Sequence, residues 1–189
     1  MQKNIRRSVI VKNKRFSIAL LAFLLASNAS RMAGKGPIHT EQMQFNMEEE
    51  MEKPAAIPPD VLAILNADEY VRSQLENEDS PRKTAPVSWF SASRIHLTSN
   101  PREIDLIVKG EWPLMGANVG TFWVFLSTPR GHQLVLTGPA HNLEVKNTFW
   151  NKHREIELIS LTAAEVHTTL CRFDGKQYIP QEPKSSPIE

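Results

Sequence analysis

The run Thr121-Phe122-Trp123-Val124-Phe125-Leu126, followed by Pro129, Gly131 and then His132-Gln133-Leu134-Val135-Leu136-Thr137, decides how this chain reads. Both segments are apolar, rich in aromatic and β-branched types, and short, and the breakers between them leave no room for a crossover. They read as two strands paired antiparallel. The same pattern extends outward in both directions. Trp89 to Leu97, Ile104 to Lys109, Leu143 to Lys146, Ile156 to Leu161, Ala164 to Phe173 and Gln177 to Ile179 read as strands, with Pro101, Gly110, Pro113, Gly138, Pro139 and Gly175 between them. Upstream the period changes. Pro58-Pro59-Asp60 can open a helix, and Val61, Ile64, Leu65, Val71 and Leu75 share one face of it, interrupted at Asp68. Pro81 and Pro86 forbid its continuation. The expected class is α+β: an N-terminal helix packed on an antiparallel β-meander of about eight short strands.

A chain of 189 residues suggests one domain. All four tryptophans fall between residues 57 and 179, which reads as a single globular domain. Residues 30–56 carry four methionines, the run Glu48-Glu49-Glu50 and one aromatic, Phe45, and read as a flexible spacer. Residues 180–189 hold three prolines and read as a disordered tail. Residues 1–29 read as a signal peptide, with a basic stretch ending at Arg15, an apolar core from Phe16 to Ala26, and small residues at Ser27 and Ala29. The expectation is a secreted or periplasmic protein cut near Ala29; the alternative is a chain held in the membrane by an uncleaved anchor. From residue 30 onward there are 16 basic and 21 acidic groups. That balance argues against nucleic acid as a partner.

The chain also repeats itself. Arg102-Glu103-Ile104-Asp105-Leu106-Ile107 recurs as Arg154-Glu155-Ile156-Glu157-Leu158-Ile159, and Gly131-His132-Gln133-Leu134-Val135 recurs as Gly175-Lys176-Gln177-Tyr178-Ile179. Two copies of a strand–strand–turn–strand unit would put Ile104 and Ile156 in equivalent core positions. The first copy is longer, and its extra residues fall in 110–120. Over residues 90–179 this pattern resembles the FG-GAP (VCBS) repeat, with Ile95-His96-Leu97 and Asp105-Leu106-Ile107-Val108 at the flanks of that motif. Arg172-Phe173-Asp174-Gly175-Lys176-Gln177-Tyr178 is similar to the aromatic-Asp-Gly hairpins of small exported proteins. In that family the loop holds calcium through an Asp, an Asn or Asp, and another Asp at alternating positions. The matching positions here are His96, Thr98 and Asn100, with Asp105 the one carboxylate, so neither a metal site nor a cofactor is carried over.

Catalytic motifs are missing from the sequence. It contains no G-x-S-x-G, H-E-x-x-H or C-x-x-C, and Cys171 is the sole cysteine, in an alternating run where burial as a small apolar residue explains it. Aromatic residues in polar loops remain. Trp112 sits in the 110–120 insertion with Asn118, and Phe149-Trp150 interrupt a polar stretch from Lys146 to Arg154. Exposed tryptophan is a frequent contact for proteins and sugars. Trp123, among Phe122, Val124 and Phe125, reads as core. The leading expectation is therefore an exported, non-catalytic module that binds a protein or glycan through Trp112, Asn118 and Trp150. The alternatives are a small exported hydrolase using carboxylates such as Asp105 and Glu157, and an envelope structural domain.

Overall fold

The computed structural model describes residues 41–77 and 82–188. The signal-peptide reading of 1–29, and residues 30–40 of the expected spacer, lie outside them. In chain order the elements are β1 (Gln44–Asn46), α1 (Pro59–Ala67), α2 (Glu69–Glu76), β2 (Phe90–Ile95), β3 (Asp105–Gly110), β4 (Gly120–Thr128), β5 (Gly131–Ala140), β6 (Asn142–Trp150), β7 (His153–Leu161), β8 (Glu165–Phe173), β9 (Tyr178–Pro180) and β10 (Lys184–Pro187). Every strand pair is antiparallel. The class is α+β.

The strands form two sheets. β2-β3-β4-β5 make one; β1-β6-β7-β8 make the other, with β9 and β10 both pairing on β8. The chain passes from one sheet to the other at a single residue. Ala140 still pairs with Gly120 of β4, Asn142 already pairs with Ile159 of β7, and His141 between them donates from its N–H to Ile159 O at 2.8 Å.

Alternation along β3 and β4 assigns their faces. Ile107, Phe122 and Val124 point between the sheets, where they meet Phe45, Leu143 and Ile156. Leu106, Val108, Trp123 and Phe125 point the other way, onto Val61, Leu65, Val71 and Leu75 of the helices. The four-stranded sheet is thus covered on both faces, which is why Phe122 to Leu126 is continuously apolar instead of alternating.

The helical segment divides where the sequence is interrupted. Asp68 ends α1 and caps α2, its Oδ1 accepting from the N–H groups of Tyr70 and Val71 at 2.9 and 3.3 Å. At the start of α1, Asp60 Oδ2 accepts from His132 N at 2.8 Å and lies 2.9 Å from His132 Nδ1. That pair of contacts from His132 lowers the Asp60 pKa. Gly131 turns with φ +115°, and a Cβ there would stand 2.7 Å from Asp60 Oδ2, so this hairpin requires glycine on both counts.

Several expectations need correction. Residues 41–51 are anchored to the core instead of forming a spacer: Phe45, Met47 and Met51 are buried, and β1 pairs with β6. Their apolar side chains are few, but Phe45 and Met47 alternate, and the surface they cover comes from strands a hundred residues away. Residues 184–187 form β10 on β8 instead of a loose tail, because an edge strand is held by ladder hydrogen bonds and needs no apolar side chains. Gly138 and Pro139 lie inside β5, an edge strand where proline is tolerated. The polar stretch from Lys146 to Arg154 contracts to a two-residue turn at Asn151 and Lys152, both with left-handed φ (48° and 67°). Ile104 and Ile156 are not equivalent. Ile104 precedes β3 and is 43% exposed, while Ile156 is inside β7 and fully buried. Glu103 explains the difference: it closes a turn by accepting from Thr98 Oγ1 and Asn100 Nδ2, whereas Glu155 continues a strand.

Candidate functional site

The connection from β3 to β4 displays Trp112, which is 79% exposed. Its surroundings are braced. Glu111 N donates to Trp89 O, Leu114 N to Glu111 O, and Gly116 N to Val119 O, at 2.8, 2.6 and 2.7 Å. Leu114 is fully buried and anchors the loop, while Tyr70 OH reaches Leu114 O at 3.4 Å. Asn118 is exposed on the same loop. Exposed apolar side chains come from three neighbouring segments: Tyr70 of α2, Val87 beside Trp89, and Val119.

Trp150 is elsewhere. It pairs with His153, which bridges to Thr98 beyond the far end of β2, whereas the Trp112 loop is tied to Trp89 at the near end. The five steps of β2 alone separate them by about 17 Å at ~3.3 Å per residue. Trp150 is also engaged internally, with the Arg172 guanidinium 4.6 Å from its ring centre. Arg172 Nε in turn donates to Glu155 Oε1 at 2.7 Å, and Arg154 stands 5.0 Å over Phe149. The Thr148 hydroxyl and Arg172 together lower the Glu155 pKa. Trp112 and Asn118 are exposed on one loop; Trp150 belongs to a separate aromatic–arginine cluster.

The two carboxylates considered for hydrolysis do not converge. Asp105 is 1% exposed and points between the sheets, where Oδ2 accepts from Leu97 N at 3.0 Å and Oδ1 from Ser127 N at 2.9 Å. Burial raises its pKa against the pull of those two amides. Glu157 is on the outer face of the other sheet, 3.3 Å from Lys146 Nζ. The side chains of the calcium-loop resemblance are likewise occupied: Thr98 and Asn100 by Glu103, and His96 by Glu41 at 2.9 Å. Among the described residues no three His, Cys, Asp or Glu side chains gather as metal ligands. No helix of the described residues is long and apolar enough to cross a membrane.

One feature escaped the sequence reading. Between β5, the last strand of its sheet, and the inner face of β7 and β8 lies a cleft of about 570 Å³. Its floor includes Leu136, Leu158 and Cys171, and its mouth Ser160 and His167. The Cys171 thiol is fully buried, which pushes its pKa up to about 11. His167 Nδ1 is 2.6 Å from Ser185 Oγ of β10, and Nε2 is 3.4 Å from Glu165. The alternation of residues 167, 169 and 171 was visible in the sequence. The opposing strand β5 was not assignable to that face, because it belongs to the other sheet.

No family model, no curated protein and no solved structure matches this chain.

Proposed function

We propose that this protein is a non-catalytic binding module, acting after export, that engages a protein partner through the Trp112 loop. The observation that carries this reading is the 79% exposure of Trp112 on a loop braced from both sides. Fixing an indole in advance removes the ordering cost of contact, and tryptophan is the side chain most enriched among interface hot spots. The apolar neighbours Tyr70, Val87 and Val119 favour a protein over a glycan, whose hydroxyls would need more polar groups than Asn118 supplies. The basic and then apolar composition of residues 1–29 supports export.

The test compares the chain with Trp112→Ala as baits for the exported fraction of its own cells. A partner retained by the wild type should be lost by the variant at unchanged thermal midpoint, and the purified pair should bind at least about tenfold more weakly with Trp112→Ala. Equal retention by both chains overturns the reading. Retention that a free glycan competes away would reassign the site to sugars.

A further inference from the structure

The register of the six-stranded sheet arranges the inner face of β7 and β8 as rows of changing polarity. Ile156 stands opposite Cys171, Leu158 opposite Thr169, and Ser160 opposite His167. The first row is fully buried, and the next two are half-buried and open to the cleft. Successive rows are two residues, or about 6.6 Å, apart. Moving outward from the closed core, the surface therefore changes from hydrocarbon and thiol, through Leu158 and a threonine, to a serine and an imidazole. The opposite wall is the edge of β5, which has no second strand partner among the described residues and so presents backbone groups to the opening. Gly138 sets the width. A Cβ there would come within 2.7 Å of Leu158 Cδ1, so the two sheets approach closely at that level.

Charge narrows the occupant. Among the described residues, no Lys, Arg, Asp or Glu side chain lines the cleft. An anionic head would find no cation there, and Glu165 beside His167 would repel it. Both His167 nitrogens already face Ser185 and Glu165. The volume falls within the range of small-molecule sites.

We propose that the cleft between β5 and the β7–β8 face binds an uncharged amphipathic small molecule. Its apolar end lies toward Cys171 and its hydrogen-bonding head sits at the mouth, beside the Ser160 hydroxyl. This site is separate from the Trp112 loop and goes beyond partner binding. It gives the module a second, small-molecule specificity.

The experiment is a fluorescence titration of the full chain with two probes that share an aromatic body. N-phenyl-1-naphthylamine is neutral, and 8-anilinonaphthalene-1-sulfonate is anionic. The expected result is saturable binding of the neutral probe, with the sulfonate at least about tenfold weaker. Thr169→Phe fills the middle row and should abolish saturable binding. Ser160→Trp, at the half-buried mouth, should weaken it about tenfold even if the first variant fails to fold. Trp112→Ala should leave probe binding unchanged. Equal affinity for both probes, or full binding by a folded Thr169→Phe or Ser160→Trp chain, overturns the proposal. So does a wild type with no saturable binding, which would mean that another segment of the chain or a second copy fills the cleft.

Discussion

Trp123 Nε1 donates a 3.0 Å hydrogen bond to Asp68 Oδ2, so one carboxylate joins the centre of the four-stranded sheet to the junction of the two helices. Trp123 is fully buried, edge-on to Phe90 at 5.8 Å, and its indole N–H needs an acceptor there. The other Asp68 oxygen caps α2. Asp68 breaks the apolar face of the helical segment in order to serve both.

Asp68→Ala should therefore cost more than a surface cap. Loss of the cap contributes about 1 kcal/mol and the orphaned indole about 1–3 kcal/mol. Urea unfolding should show a loss of about 2–4 kcal/mol on those grounds, with Asp68→Asn in between because it keeps the cap but not both acceptors. A loss under about 0.5 kcal/mol would mean the indole finds another acceptor.

Asp105 should make stability depend on pH in the direction opposite to that of a paired acid. Its folded pKa is raised above the ordinary 3.8 by burial. The native state then holds a proton that the unfolded chain has released, so the contribution of Asp105 is fully present below 3.8 and is lost as pH rises through the raised value. The stability difference between wild type and Asp105→Asn should shrink from acid toward neutral pH. A difference that grows over that interval would contradict a raised pKa.

Lys109 fastens the N-terminal segment to the core. Its side chain is 2% exposed, and Nζ donates to Met47 O at 3.1 Å and Glu49 O at 2.5 Å, with Glu111 at 3.2 Å. Lys109→Met keeps the stem but leaves carbonyls and a carboxylate without their cation, at a cost of about 3 kcal/mol. Limited proteolysis should then cut within residues 47–51 before the rest of the domain. Unchanged resistance there would show that β1 pairing and the burial of Met47 hold the segment by themselves.

Cys171 should be inert in the folded chain. With its pKa pushed up to about 11 by burial, almost no thiolate forms at pH 8. Ellman's reagent should react within minutes in urea and at a far slower rate, limited by opening, in buffer. Rapid native reaction would place the thiol in open solvent at the cleft.

The sequence by itself determined the local structure. β-branched and aromatic runs between glycines and prolines placed eight strands, and helical spacing with Pro59 and Asp60 placed the helical segment, because these signals arise within a few residues of backbone sterics and side-chain alternation. It also singled out Trp112, since a large apolar residue in a loop of turn formers has nothing local to cover it. The tertiary structure decided everything that depends on what lies opposite. Phe45 and Met47 become core because β6 and the sheet interior meet them; Ile104 is exposed and Ile156 buried although their hexapeptides nearly match. Trp112 and Trp150 are separated because their segments meet opposite ends of β2, a fact of topology and not of composition. The cleft is of the same kind. Its two walls come from different sheets, and no window of sequence contains both.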